Sequence, residues 1–198
     1  VRKDDELKHI SYNDGTITKN KLWIGLCHLK ETEDLGYFGY LTKSNFEVVD
    51  RKFKVSNGPA IDEKNNKLYF SDSFNSKVYQ YNLKNFKRKT LIKLKKKDGF
   101  PDGIALDNNN GLWVAHWAGA KVSRINLKNG KLDFSISLPA LNITSVTFIG
   151  NNLNHLFVTS AKYGVTGKLL RRYPHSGSSF IIKTDYKGLK IPYTSINF

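Results

Sequence analysis

Apolar and polar residues alternate over short segments of the chain, and turn residues separate these segments. Residues 121–127 alternate in this way, and residues 131–138 do so again after a turn at residues 128–130. A period of two is typical of half-buried β-strands. No stretch shows a sustained helical period with capping residues. The pattern therefore predicts an all-β protein.

The strand pattern is part of an internal repeat. Four pairs of a leucine and an aromatic residue recur at spacings of 46, 44 and 44 residues, namely Leu22–Trp23, Leu68–Tyr69, Leu112–Trp113 and Leu156–Phe157. Residues 78–83 also match residues 122–127 at an offset of 44. One such unit, residues 103–138, contains four predicted strands. Four-stranded units with a period of about 40–50 residues are typical of β-propeller blades, whereas a β-sandwich would show no such repeat.

The length of the chain bounds the number of blades. At about 44 residues per blade, the 198 residues correspond to about four and a half blades. A complete ring of four blades is arithmetically possible, because propellers carry about four to eight blades. We favour part of a larger ring, because the first repeat begins abruptly and residue 1 is Val rather than Met.

Composition and charge remove several classes of protein. One cysteine cannot form an internal disulfide, and no apolar run approaches the length of a membrane helix. The net charge of +15 raises nucleic acid as a partner. Lysine supplies 26 of the 32 basic residues, however, and the scarcity of arginine, the planar reader of phosphates and bases, argues against this partner. The basic segment 87–97 has apolar residues between its charges, so it predicts a strand with a solvated face, with a binding patch as the alternative.

Oxygen-bearing side chains stand at related positions of the repeat. Asn57 and Asp102 share one register 45 residues apart, and Asn13 lies one register earlier, 44 residues before Asn57. The innermost strands of a propeller converge on one axis, so these side chains would gather there. Carboxylate and amide oxygens suit a hard cation such as Ca²⁺, Mg²⁺ or Mn²⁺. Local capping of tight turns is the alternative explanation.

Other reactive residue types form no recognisable site in the sequence. The histidines at positions 28, 116, 155 and 175 follow no metal-ligand spacing, so we expect surface or turn residues. Cys27 lies in a predicted strand, where we expect it to be buried and inert. No Gly-x-Ser-x-Gly elbow occurs. Trp117 either borders the mouth of the channel or packs between blades.

Several stretches together resemble the senescence marker protein/regucalcin/gluconolactonase family of six-bladed propellers. The stretches that carry the resemblance are residues 13–15 (Asn-Asp-Gly), 56–58 (Ser-Asn-Gly), 68–73, 101–107 (Pro-Asp-Gly-Ile-Ala-Leu-Asp), 112–115, 138–139, 144–145, 157–161 and 177–180. They follow the order of the family over nearly the whole chain. The resemblance implies a single propeller domain over residues 1–198 that lacks the first one to two blades.

The resemblance also implies a site. The family that this chain resembles consists of metal-dependent hydrolases of sugar lactones. Their ion is held by a Glu, an Asn and an Asp. Asn57 matches the ligand Asn and Asp102 the ligand Asp, while the ligand Glu belongs to an early blade outside this sequence. The substrate-contacting Arg-x-Asn-Asp-Gly segment corresponds to residues 11–15, where Asn13 matches and Ser11 replaces the Arg. Glu31 is a weaker match for an acidic substrate-binding residue.

These observations lead to one expected function and one alternative. We expect a hydrolase that opens a sugar lactone with one divalent ion, Ca²⁺, Zn²⁺, Mg²⁺ or Mn²⁺. Asp102 would orient the ion and accept a proton from water, and Asn13 would donate to a substrate hydroxyl. The alternative is a non-catalytic calcium- or ligand-binding propeller of the same family. We further expect a cytoplasmic protein, a monomer or weak dimer, that binds a small-molecule lactone and associates with no membrane.

Overall fold

The computed structural model of the chain describes residues 9–42 and 45–191. These residues divide into two units, one reaching to Leu91 with Ile191 and one formed by Ile92–Lys190. The prediction of one domain over residues 1–198 stays a prediction, and residues 1–8 and 192–198 lie outside the described part. Each unit is described by itself.

The first unit is built on two antiparallel sheets, each of four strands in chain order. The strands of the first sheet are β1 (Ile10–Thr18), β2 (Lys21–His28), β3 (Gly36–Leu41) and β4 (Phe46–Phe53). Those of the second sheet are β5 (Ser56–Asp62), β6 (Lys67–Asp72), β7 (Lys77–Asn82) and β8 (Arg88–Lys93). Aromatic rings from both sheets form the core of this unit, with Phe38, Phe53 and Phe70 completely buried.

The second unit also contains two antiparallel sheets. One has the strands β9 (Phe100–Leu106), β10 (Gly111–Trp117), β11 (Lys121–Asn126) and β12 (Lys131–Ser137). The other has three strands, β13 (Asn142–Ile149), β14 (His155–Ala161) and β15 (Phe180–Lys183). A short helix, α1 (Gly167–Arg172), lies between β14 and β15. Trp113, Ile143 and Val158 belong to the buried core of this unit.

The strand pattern predicted from the sequence is confirmed in most of its details. The four strands expected within residues 103–138 correspond to β9–β12. Each Leu-aromatic pair lies in the second strand of its sheet, and Leu68, Leu112 and Leu156 are fully buried there. A second strand is an inner strand of its sheet, with a hydrogen-bonded neighbour on both sides, and these leucines pack in the core. The repeat in the sequence therefore marks residues that are buried in the core of each blade.

Two elements differ from the sequence prediction. The last sheet has three strands rather than four, and α1 stands in the connection before its last strand. This helix has only six residues, which is too short to produce a helical period in the sequence. The basic segment 87–97 forms a strand only as far as Lys93, where Leu91 and Ile92 are half-buried and the flanking lysines are exposed. Within the described residues, no helix is long and apolar enough to cross a bilayer.

Candidate functional site

The first strand of every sheet contains a β-bulge near its beginning. Two residues face one partner in three of them: residues 13–14 in β1, residues 58–59 in β5 and residues 102–103 in β9. In β13 the extra residue is Thr144. A bulge re-aims side chains and is common beside active sites. These first-strand bulges contain or adjoin three of the five residues predicted to form the site: Asn13, Asn57 and Asp102.

Asn13 and Asn57 are joined directly. The Nδ2 atom of Asn13 donates to Oδ1 of Asn57 at 2.7 Å and to the carbonyl oxygen of Ser56 at 2.7 Å. A carboxamide nitrogen carries two hydrogens, so both are used within this contact. The predicted donation from Asn13 to a substrate hydroxyl is therefore not available in this arrangement. Its Oδ1 atom, on an exposed residue, is the atom suited to meet a substrate, and it would act as an acceptor.

The orientation of the Asn57 carboxamide is fixed from both ends. Its Nδ2 atom donates to the hydroxyl of Ser73 at 2.8 Å, which turns Oδ1 toward Asn13. Asn57 is 9% exposed, so this orientation is held away from bulk water. Asn57 pairs with Ser71 just before the bulge of β5, whereas Asp102 lies within the bulge of β9. The sequence analysis placed the two residues at equivalent positions of the repeat, but relative to the bulges their positions differ by one residue.

Asp14 has a role that the sequence analysis treated only as part of a turn. Its Oδ2 atom accepts the N–H of Gly58 at 3.0 Å, and its Oδ1 atom accepts the N–H of Gly15 at 2.7 Å. Burial raises the pKa of this carboxyl, although both hydrogen bonds oppose the rise. Asp14 therefore joins the bulge of β1 to that of β5. The signal available in the sequence was the offset of 44 residues between Asp14 and Gly58.

Asp102 lies in the second unit, half-buried in the bulge of β9. A Cβ atom added to the next residue, Gly103, would clash with Oγ of Ser145 and lie 2.8 Å from its Cα atom. Only glycine permits this close approach of β9 to β13, which sets the bulge of β9 beside that of β13. The Oγ1 atoms of Thr144 and Thr159 are 2.7 Å apart in this second bulge. The sequence analysis missed this hydroxyl pair because Thr159 comes from β14.

The other predicted site residues contact different groups. Ser11 is half-buried, and its hydroxyl lies 3.9 Å from the sulfur of Cys27. Glu31 is exposed in the turn after β2, where its backbone N–H donates to His28. Cys27 is 3% exposed, which confirms the expectation of a buried side chain, and burial raises the pKa of its thiol. A direct hydrogen bond thus joins Asn13 and Asn57, while Ser11 and Glu31 have other partners.

The donor atoms at the bulges fit a hard cation in their chemical type. Asn57 offers an amide oxygen and Asp102 a carboxylate, and oxygen donors of this kind bind Ca²⁺, Mg²⁺ or Mn²⁺. Zn²⁺ prefers sites with nitrogen and sulfur ligands. Throughout residues 9–42 and 45–191, no cluster of three or more His, Cys, Asp and Glu side chains could hold a metal ion. A metal ion at Asn57 or Asp102 would therefore need further oxygen ligands from amides, water or substrate.

Two histidines expected at the surface or in turns are buried in strands instead. His28 is 7% exposed and His116 is 1% exposed. The Nδ1 atom of His116 lies 2.7 Å from the carbonyl oxygen of Asp98, so it carries the proton, because a carbonyl oxygen only accepts. The Nε2 atom is also buried and has no partner among the described residues. Burial lowers the pKa of His116 to about 4, and the neighbouring charges are Asp98 and Lys121.

The buried histidine predicts a loss of stability in mild acid. The folded pKa of His116 lies below its unfolded value, so the unfolded chain binds more protons and stability falls as the pH drops through this range. Between pH 7 and pH 5 the expected loss is about 2 kcal/mol of unfolding free energy. Urea unfolding at several pH values measures it. His116→Gln should remove most of this pH dependence, and an unchanged pH profile in the variant would contradict the assignment.

The paired carboxamides predict a specific effect of Asn13→Asp. This change keeps the shape of the side chain but removes both hydrogens that bond to Asn57 and Ser56. It also sets a carboxylate oxygen against Oδ1 of Asn57. We expect a loss of about 1–3 kcal/mol in urea unfolding, larger at pH 7 than at pH 4, where the new carboxyl is partly protonated. Asp14→Asn is a milder change than Asn13→Asp, because its amide keeps one oxygen that can accept the backbone N–H of Gly15 or Gly58.

The sequence of this chain matches a family profile and named proteins. A sequence profile of the SMP-30/Gluconolactonase/LRE-like region matches residues 1–162. Regucalcin of Xenopus laevis is 36% identical over 143 residues, which are 70% of this chain and 46% of that protein. The chain thus spans less than half of this relative.

Two solved structures share the fold. The calcium-binding protein regucalcin of Agrobacterium tumefaciens superposes with a TM-score of 0.86 at 22% identity, over 94% of this chain and 65% of that one. A gluconolactonase of Xanthomonas campestris superposes with a TM-score of 0.63 at 19% identity, over 75% and 54% of the two chains. The four sheets are therefore blades of a β-propeller. The profile match over residues 1–162 shows that the chain belongs to the SMP-30/gluconolactonase/LRE-like family.

Proposed function

We propose that this protein is a divalent-metal-dependent hydrolase that opens a sugar lactone. The observation that carries the proposal is the carboxamide pair of Asn13 and Asn57, held at 2.7 Å between two first-strand bulges. These are the positions that the family resemblance assigns to the substrate and to the metal. The proposal is also supported by the gluconolactonase named among the structural relatives.

We propose Asn57 and Asp102 as ligands of the ion. Asn57 belongs to the first unit and Asp102 to the second. The reason to assign both to one ion is the family resemblance. A bound divalent ion supplies positive charge that polarises a carbonyl and makes a nearby water more acidic. The neutral amide of Asn57 adds no negative charge. More of the ion's positive charge would then remain to stabilise the developing oxyanion.

The side chains of the protein itself would carry out the proton transfer and the positioning. The Asp102 carboxylate accepts a proton from the attacking water as the water's oxygen forms a bond to the lactone carbonyl carbon. The Asn13 Oδ1 atom accepts a hydrogen bond from a hydroxyl of the sugar ring. The ring opens when the carbon–oxygen bond of the ester breaks, and the ring oxygen takes up the proton that Asp102 accepted, which gives the hydroxy acid and restores the carboxylate.

A second candidate function follows from Ser11. The resemblance places an arginine at this position in lactone-hydrolysing members, but Ser11 is short, uncharged and engaged with Cys27. Without the arginine, a bound substrate would have one fewer cationic donor. A non-catalytic propeller that binds calcium or a ligand would need no such donor, so this observation favours the alternative.

One experiment separates the two candidates. A panel of aldonolactones is offered to the chain with Ca²⁺, Mg²⁺, Mn²⁺ or Zn²⁺, and acid release is followed together with calorimetric binding of each ion. Turnover above the spontaneous rate with at least one ion supports the hydrolase. Ion binding without turnover of any lactone would overturn the hydrolase and support the binding protein.

A further inference from the structure

Two aromatic rings meet at the surface of the second unit. Tyr163 is 81% exposed, the highest exposure among the large hydrophobic side chains that the structure describes. Its ring centroid lies 6.3 Å from that of the half-buried Trp117, and the two planes are inclined by 42°. This separation is within the range of favourable aromatic contacts. Trp117 is thus partly shielded from water, whereas Tyr163 is largely open to it.

The aromatic pair lies at the end of the sheets where Asp102 stands. Trp117 ends β10 and pairs with Phe100, two residues before Asp102 on β9. Tyr163 follows β14, whose last residue, Ala161, pairs with the first residue of β13. The aromatic pair and the bulges of β9 and β13 therefore share one edge of this unit.

The Tyr163 backbone is firmly held. It sits at the tip of a tight turn closed by a hydrogen bond from the Val165 N–H to the Lys162 carbonyl at 3.0 Å. Val165 is 1% exposed, and Gly164 has the positive φ of 69° that this turn requires. The buried side chain of Asn142 donates to the Tyr163 carbonyl at 2.8 Å. An anchored turn that presents an open aromatic ring loses little entropy when a ligand binds.

The turn that follows Trp117 is also constrained. Ala118 and Ala120 both adopt positive φ angles, 58° and 50°, a conformation that costs energy for residues other than glycine. The turn is fixed by hydrogen bonds from the Ala120 N–H to the Leu141 carbonyl and from the Leu138 N–H to the Ala120 carbonyl, both at 2.9 Å. Strained backbone that is held by its surroundings is common at binding sites.

We propose that Trp117 and Tyr163 form a stacking subsite for an apolar ring carried by the lactone substrate. The inference rests on the proposed function for the identity of the reacting group, while the ring is recognised by the aromatic pair alone. A lactone that carries an aryl or comparable flat apolar substituent would then bind more tightly than the same lactone without it. The ring of the substituent would stack on the exposed Tyr163 ring beside Trp117, with the lactone extending toward Asp102.

A matched pair of substrates tests this subsite. γ-Phenyl-γ-butyrolactone and γ-butyrolactone differ only by the phenyl ring. We expect KM to be about tenfold lower for the phenyl compound, and Tyr163→Ala and Trp117→Ala each to remove about three- to tenfold of that preference. KM for γ-butyrolactone should change by less than about twofold, and Tyr163→Phe should keep the preference. Equal KM values in the wild-type chain, or a preference untouched by Tyr163→Ala, would overturn the subsite.

Binding without turnover separates this proposal from the proposed function. The chain has three tryptophans, of which Trp23 and Trp113 are at most 2% exposed, so acrylamide quenching reports mainly on Trp117. A phenyl-substituted tetrahydrofuran has the ring but no carbonyl to hydrolyse. It should protect Trp117 from quenching in the wild type but not in Tyr163→Ala, while tetrahydrofuran itself should not protect.

The two failures are then distinguishable. Protection without hydrolysis of any lactone would end the proposed function but leave the subsite as a ligand site. Hydrolysis of both lactones with equal KM and no protection would end the subsite but leave the hydrolase.

Discussion

Asp102→Asn is expected to lower lactone hydrolysis by about a thousandfold while leaving the fold intact. The amide matches the carboxylate in size, so the packing of the side chain in the bulge of β9 is unchanged. It cannot accept a proton from water at neutral pH, and it brings no negative charge to a cation. General-base catalysis contributes about 10²–10⁴-fold, and a weaker ion site would add to the loss. The measurement is kcat/KM at saturating metal, with calorimetric ion binding measured in parallel.

Asp98→Asn is the matched control for Asp102. It makes the same chemical change in the same unit, at a half-buried aspartate that pairs with Lys121 at 2.8 Å. We expect its activity to stay within about twofold of wild type and its stability to fall by less than about 1 kcal/mol. If Asp102→Asn keeps the activity and ion affinity of the wild type, Asp102 has no part in the mechanism.

Asp107→Ala is expected to destabilise the chain by about 3–5 kcal/mol. The side chain of Asp107 is fully buried and faces that of Arg124, which is 4% exposed, with 2.7 Å between Oδ2 and Nε. The same carboxylate accepts the N–H of Gly111 and the indole N–H of Trp113, both at 2.8 Å. Alanine would leave the Arg124 charge buried with one fewer counter-ion, and it would remove the acceptor of three N–H donors, the third being the backbone N–H of Asn109. Urea unfolding monitored by circular dichroism measures the loss.

Asp62→Ala is the corresponding change in the neighbouring repeat. Asp62 is the last residue of β5, before the turn that leads to β6. Its carboxylate accepts two exposed hydrogen bonds, from the backbone N–H and the side-chain amide of Asn65. We expect a loss below about 1 kcal/mol. Equal losses in the two variants would show that the buried network around Arg124 is not what stabilises this blade.

The repeat could be read from the sequence because it records burial along each strand. The spacing of about 44 residues marks the second strands, where Leu68, Leu112 and Leu156 are shielded on both sides. The same spacing located Asn13 and Asn57, because neighbouring blades place corresponding residues side by side. Local alternation and turn chemistry were sufficient for β9–β12.

The details of the site depend on contacts that no local pattern contains. The sequence could not show that both Nδ2 hydrogens of Asn13 are used by residues 43 and 44 positions away. In the sequence, Asn57 and Asp102 each stand directly before a glycine and look equivalent. The structure places Asn57 just before its bulge and Asp102 within its own. Trp117 and Tyr163 meet only because two turns from different sheets are held close together. His116 looked like a surface residue because polarity predicts exposure on average.

The most direct test of the central claim is the ion dependence of lactone opening by this chain. Acid release from glucono-δ-lactone is followed after chelation of metal ions and again after addition of Ca²⁺, Mg²⁺, Mn²⁺ or Zn²⁺. The hydrolase predicts the spontaneous rate in chelator, a clear increase with at least one ion, and no such increase in Asp102→Asn. Release at the spontaneous rate with all four ions, or an increase that Asp102→Asn reproduces, would contradict it.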